Sequence, residues 1–348
     1  MNQVMLPNYT SGERALQKLG RLASEYGKNI LVVGGRRALQ QARAKIKNTL
    51  GKNDLNLVDF ICYGDECTYQ NMQLIKNKYE DNKINLMIGV GGGKALDTAK
   101  GAAEKMDIPI FTVPTIAATC AATTPISIVY NEEGDFESFF HLTNPPEHIF
   151  IDNEVISKAP IKYLWAGIGD TLAKYYEVDL KARGQKLDHS SALGKEMSTM
   201  CAEPILKYGV TALEDSAAGI SSPALEQVVL NNIISTGLVS MLVAEKYNGA
   251  CAHALFYGFT LLDKIEEEHL HGEVVAYGIL VQLLIDNQMD EFERLYSFFQ
   301  QAKLPTCLND IDVENKKNYL LPVLEEAVKG EDLLDMPYQV TTKMYYDA

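Results

Sequence analysis

Basic residues are in deficit. Lys and Arg number 32 against 46 Asp and Glu, a formal charge of −14. Such a surplus repels phosphate backbones and anionic lipid surfaces, so no nucleic-acid or membrane-surface partner is expected, and an anionic ligand must be held by a few placed groups. Cysteine is sparse: Cys62, Cys67, Cys120, Cys201, Cys251 and Cys307 are scattered with no C-x-x-C pair. That excludes a disulfide framework and reads as reduced thiols in a cytoplasmic protein. No run reaches the ~18 to 20 uninterrupted apolar residues of a membrane span. The opening, MNQVMLPNYTSGERALQKLG, lacks the basic and then apolar order of a secretory signal. Neither G-x-G-x-x-G nor G-x-x-x-x-G-K-S/T occurs.

What is present is an apolar fraction of 47% over 348 residues, enough for packed cores in two domains of about 150 residues each. The first 150 residues alternate extended and helical patterns. Ser11 is placed to cap a helix with apolar Leu16, Leu19, Leu22 and Ala23; NILVVGG then reads as a buried strand. ARAKIKNTL, LVDFICY, MQLIKNKYE, INLMIGVGGG and PIFTVP continue the alternation, followed by the loop TIAATCAATTP, the strand ISIVY, the turn NEEGDF and the strand HIFID. Short apolar strands separated by helices predict a mostly parallel sheet covered on both faces. After Pro160 the segments 161–183, 189–208, 224–247, 251–266, 272–287 and 313–328 carry helical spacing. The expected domains are therefore 1–155, α/β, and 156–348, all helical.

Three places can carry chemistry. VGGGKALDTAK, residues 90–100, joins a strand to a helix. Consecutive glycines admit a diphosphate close to the backbone, and the helix N-terminus offers free N–H groups; a tight turn without ligand has the same pattern. The loop from Pro114 to Pro125 supplies hydroxyls at Thr115, Thr119, Thr123 and Thr124 for a ribose, phosphate or carboxamide, or else is a surface loop. Finally, AGIGDTLAKYYE, CAHALFYGF and HLHGEVVAYG contain Asp170, His253 and His271. Asp170 follows Gly169 as an ordinary N-cap would, and a lone histidine on an apolar helix is usually a core residue. Their separations are no signature of metal binding, although a carboxylate and two imidazoles suit Zn²⁺ or Fe²⁺.

Taken together and in order, these segments resemble the glycerol dehydrogenase branch of the iron-containing (group III) alcohol dehydrogenase superfamily. VPTIAATCAA, AGIGDTLAKYYE and VAYGILVQ are more similar still to its hydroxycarboxylate dehydrogenases. The resemblance implies an N-terminal Rossmann-like domain and an all-α C-terminal domain, the dehydroquinate synthase-like fold, with the site in the cleft between them. It places the metal ligands on Asp170, His253 and His271, with zinc the favoured ion and iron or another as alternatives. The cofactor's diphosphate falls to Gly92, Gly93, Lys94 and Asp97, and its nicotinamide ribose side to Thr115, Ala118, Thr124, Ile126 and Tyr130. A homo-oligomer acting on a small molecule is also implied.

Three departures from the family pattern bear on substrate. Cys120 stands where glycerol dehydrogenases carry an aspartate, which removes repulsion against an anion. Lys174, four residues after Asp170, replaces a histidine of iron-type relatives and is a candidate partner for a substrate carboxylate. Phe256 replaces a second imidazole, leaving Tyr257 or solvent to relay protons. After the strand NILVVG, Arg36 and Arg37 stand where an acidic residue would bind a ribose 2′-OH, favouring NADP over NAD. The expectation is a metal-dependent reductase of small 2-oxo acids, or the reverse oxidation of 2-hydroxy acids; the alternative is an NAD-dependent glycerol or vicinal-diol dehydrogenase.

Overall fold

The computed structural model describes residues 4–348. The chain forms two compact units: one runs up to Pro160 and includes Ser216–Ser221, the other comprises Ile161–Asp215 and Ser222–Ala348.

The first unit contains β1 (Asn8–Gly12), α1 (Leu19–Ala23), β2 (Asn29–Gly34), α2 (Arg36–Lys52), β3 (Asn56–Cys62), α3 (Tyr69–Tyr79), β4 (Leu86–Gly91), α4 (Gly93–Met106) and β5 (Ile110–Pro114). It continues with β6 (Ile126–Tyr130), β7 (Phe136–His141), β8 (His148–Asp152) and the short α5 (Asn153–Ile156). Six strands form a parallel sheet in the order β1-β8-β5-β4-β2-β3, while β6 and β7 pair separately as an antiparallel hairpin. The central strands are apolar throughout because both faces are covered. Ile30 and Val32 pack with Leu19, Ile46 and Leu50 on one side; Leu31 and Val33 pack with Met72, Ile75 and Ala99 on the other. Parallel strands running to a common edge place the β4 to α4 turn at their carboxyl end, the usual seat of a ligand.

Ser11 does not cap a helix. It lies in β1, opposite Ile151 of β8. The polar stretch NYTSG has no strand pattern of its own and is extended because a partner 140 residues away offers a ladder.

The second unit is helical, with α6 (Ile161–Ala182), α7 (His189–Ser198), α8 (Glu203–Ala217), α9 (Pro223–Leu230), α10 (Thr236–Leu242), α11 (Cys251–Phe259) and α12 (Asp263–Glu268). It ends with α13 (His271–Ile285), α14 (Met289–Ala302), α15 (Lys317–Ala327) and α16 (Thr342–Asp347). α14 was not among the expected helices, although Leu295, Phe298, Phe299 and Ala302, its buried face, repeat at three and four residues. A π-helical turn, Asn231–Ser235, joins α9 and α10. The resulting Pro223–Leu242 helix is long and apolar enough to cross a membrane, but it contains several polar residues and 61% of it is buried inside the fold.

The crossing of α6 and α13 is built on glycine. A Cβ on Gly169 would fall 2.1 Å from the Gly272 carbonyl oxygen, and one on Gly272 would fall 2.1 Å from that of Ala166. Neither position admits a side chain, so the two backbones touch.

Candidate active site

That contact positions the chemistry of the helical unit. Asp170 adjoins Gly169 in the interior of α6, so it is not an N-cap; His271 is the first residue of α13, beside Gly272; His253 lies in the first turn of α11. Asp170 Oδ1 is 3.4 Å from His271 Nε2 and 3.6 Å from His253 Nε2. One donor atom from each residue lies within 4.8 Å of the other two, close enough for all three to hold a single ion. The Phe256 and His271 rings meet in a T-shaped contact, with centroids 4.3 Å apart, so an apolar ring stands where the family pattern has an imidazole. Tyr257, the expected alternative proton relay, is exposed.

The electrostatics favour a cation. Burial would raise the Asp170 pKa, but the His253 and His271 imidazoles beside it outweigh that effect and hold the carboxyl well below the usual range. Burial lowers that of His253, yet the Glu177 charge, the nearby Asp170 carboxylate and the hydrogen bond to Glu177 push it up to about 10. Two carboxylates facing one imidazole form a pocket that stabilises positive charge. The donor set, one carboxylate oxygen and two imidazole nitrogens, fits a divalent metal with positions left open.

Sequence reasoning missed Glu177. It is fully buried on α6; Oε1 accepts from the N–H groups of Ala250 (2.8 Å) and His253 (2.9 Å), and Oε2 is 2.5 Å from His253 Nδ1. Glu177 belongs to a stripe on α6, half-buried Asp170 followed by buried Lys174, Glu177 and Lys181, whose spacings of four, three and four residues keep one helix face. Lys181 Nζ donates to the Asp332 carbonyl at 2.8 Å.

Lys174 departs from its expected role. Its ammonium is buried and donates to Asn248 O at 2.7 Å and Asn248 Oδ1 at 3.1 Å, so two of its donors bind the chain ahead of α11 rather than awaiting a substrate carboxylate. The spacing from Asp170 did put it on the same face, but that face is packed.

In the first unit, β4 ends at Gly91 and α4 begins at Gly93 with Gly92 as N-cap and no capping side chain. A Cβ on Gly92 would meet Ile116 at 2.5 Å, whereas Gly93 faces only Thr119 Oγ1 at 3.7 Å and Ala121 at 3.9 Å. The uncapped helix N-terminus and its dipole thus lie beside Gly93, where no atom approaches a Cβ closer than 3.7 Å, an arrangement that fits a diphosphate. Lys94 stands in this first turn, its ammonium 2.5 Å from Glu66 Oε2 and 5.0 Å from the centre of the Tyr130 ring. Thr115 donates its N–H to Gly91 O and is buried beside the same turn. Ala118 and Cys120 are half-buried in the following loop, and Thr124 is buried. Ile126 and Tyr130 alternate along one face of β6, with Ile128 exposed between them.

Asp97 is a correction to the expected diphosphate contacts. It is buried, its Oδ2 accepts from the Ile128 N–H at 3.2 Å, and its Oδ1 pairs with Lys100 at 2.9 Å. Burial raises its pKa against the pull of Lys100. Lys100, also missed, is fully buried and donates to the carbonyls of Thr124 (3.0 Å) and Ile126. This pair ties α4 to β6 and thereby sets Thr124 and Ile126 in place. Arg36 and Arg37 are exposed in the first turn of α2, with Arg36 3.9 Å from Asp65.

The family model described as iron-containing alcohol dehydrogenase matches residues 7–153. A glycerol dehydrogenase of Thermotoga maritima is 33% identical over 314 residues, 87% of this chain and 85% of its own. Hydroxycarboxylate dehydrogenase A of Escherichia coli is 36% identical over 281 residues, 80% and 76% respectively. The crystal structure of glycerol dehydrogenase from Schizosaccharomyces pombe superposes with a TM-score of 0.89 at 27% identity, covering 100% of this chain and 89% of that one. The chain belongs to the iron-containing alcohol dehydrogenase family, with its dehydroquinate synthase-like fold. It is accordingly an oxidoreductase, an NAD(P)-dependent dehydrogenase acting on CH–OH donors, in a family that uses a divalent metal.

Proposed function

We propose that the enzyme interconverts small 2-oxo acids and 2-hydroxy acids, using a zinc ion held by Asp170, His253 and His271 and, preferentially, NADP. When bound, the ion supplies Lewis acidity toward a substrate oxygen and the nicotinamide supplies the hydride donor or acceptor. The convergence of the three donor atoms carries this reading. Gly92, Gly93 and the α4 N-terminus receive the diphosphate, with Lys94 beside it. Thr115, Ala118, Thr124, Ile126 and Tyr130 line the nicotinamide ribose side. Phe256 packs against the His271 ring in a T-shaped contact.

The acid preference is supported by the loop from Thr115 to Thr124. It presents threonines, alanines and half-buried Cys120 but no carboxylate, so nothing there repels an anionic substrate. With Lys174 engaged by Asn248, that absence carries more of the argument than any dedicated cation does. Glycerol or vicinal-diol oxidation is the second reading, favoured by the relatives named glycerol dehydrogenase. A substrate panel separates the two: zinc-loaded enzyme should reduce 2-oxobutanoate or 2-oxoglutarate with a kcat/KM well above that for glycerol oxidation, and the reverse ranking would overturn the acid assignment.

The nucleotide preference has its own test. Replacing Arg36 and Arg37 together by alanine removes charge-assisted contacts to a 2′-phosphate, each of about 1.5–3 kcal/mol when fully made. Allowing for their exposure, kcat/KM for NADPH should fall about tenfold or more, with NADH nearly unchanged. Equal losses for both cofactors would place the arginines elsewhere.

A further inference from the structure

We infer that Glu177 is a positioning residue for the metal centre: its buried carboxylate sets both the backbone entry of α11 and the tautomer of His253. This inference rests on the reading that Asp170, His253 and His271 hold a metal. One carboxylate oxygen takes two backbone N–H groups, of Ala250 and His253, and so fixes where the helix bearing His253 begins. The other lies 2.5 Å from Nδ1 of the same residue. An imidazole with Nδ1–H committed to a carboxylate presents its Nε2 lone pair outward. Nε2 is the atom that faces Asp170 Oδ1 at 3.6 Å. Three contacts from one side chain thus determine ring position, ring rotation and proton location.

Glutamine cannot substitute. If its carbonyl keeps the two backbone N–H groups, its NH₂ faces Nδ1; Nδ1 must then lose its proton and Nε2 must carry one, closing the ligand lone pair. If the amide is reversed, donors oppose donors at Ala250 and His253. Either way zinc is held less tightly.

The test measures zinc affinity of the purified full-length enzyme by competition with a chromophoric chelator, with thermal unfolding followed in parallel. Glu177→Gln should raise the zinc dissociation constant about 10- to 100-fold, the usual cost of losing a partner of a metal-bound histidine. Glu177→Asp keeps the charge on a shorter arm, should give an intermediate loss, and serves if the glutamine variant does not fold. Lys181→Met, four residues further along the same stripe, removes a buried contact to Asp332 that does not reach His253; it should lower the melting temperature while leaving zinc affinity within about threefold. An unchanged affinity in folded Glu177→Gln, or an equal loss in Lys181→Met, overturns the inference. Failure of the unaltered enzyme to bind zinc or any other divalent ion would instead remove the metal centre itself, and the inference with it.

Discussion

Asp170→Asn is expected to leave the helical unit folded and the enzyme inactive. The amide is nearly the same size as the carboxylate, so the α6 and α13 crossing is undisturbed. What disappears is the single negative charge among the three donors. With only imidazoles and a neutral amide, the site loses the Coulombic attraction that holds a divalent ion, and loss of the Lewis acid is worth several kcal/mol in the transition state. At about 1.4 kcal/mol per tenfold, kcat/KM should fall about 10³-fold or more. Metal content by atomic emission, read with kcat/KM before and after added zinc, checks this. A variant that is metal-free and still active would remove the metal from the mechanism.

Gly272→Ala should damage the same site by a purely steric route. Its new Cβ would stand 2.1 Å from the Ala166 carbonyl oxygen and 3.0 Å from Asp170 Cβ. Backbone oxygen cannot rotate away, so the two helices must part by roughly an ångström, and overpacking of this kind costs about 1–3 kcal/mol or more. Two of the three proposed ligands, Asp170 and His271, adjoin the point of contact, so zinc affinity should fall together with stability. Gly51 in α2 is the matched control, because a Cβ there meets nothing within 4 Å. Gly51→Ala should raise stability by about 0.4–1 kcal/mol. Denaturant unfolding of the two variants is decisive: equal effects at Gly51 and Gly272 would mean that the helix contact does not constrain the fold.

The sheet was legible because its central strands, NILVVG and LMIGVG, are apolar on both faces, a pattern set by local residue choice. β1 was not, since NYTSG takes its conformation from β8. The glycine loop reads as a candidate ligand cradle from its position between strand and helix, whereas Asp97, three residues beyond Lys94, looks like a neighbour of that loop and is in fact buried against Lys100. Separations of 83 and 18 residues carry no geometric information about Asp170, His253 and His271; resemblance to a family supplied them, and the glycine contact explains how they meet. Glu177 and Lys100 were invisible for a common reason. A charged residue on a helix is ordinarily solvated, and only tertiary packing reveals that its partner is a buried backbone group far along the chain.

The alternating charges of α6 also determine how that helix can be threaded among its neighbours. Sliding it by one turn, about 5.4 Å, would carry Lys174 into the place of Asp170, against two imidazoles, and Lys181 into that of Glu177, against the N–H groups of Ala250 and His253. Donors would then meet donors, and the pocket proposed for the metal would change sign. A stripe of leucines would tolerate each such step with little penalty. Burying ions contributes little net stability, but here it discriminates between registers, so the position of Asp170 along the helix axis is specified by residues that never approach a substrate.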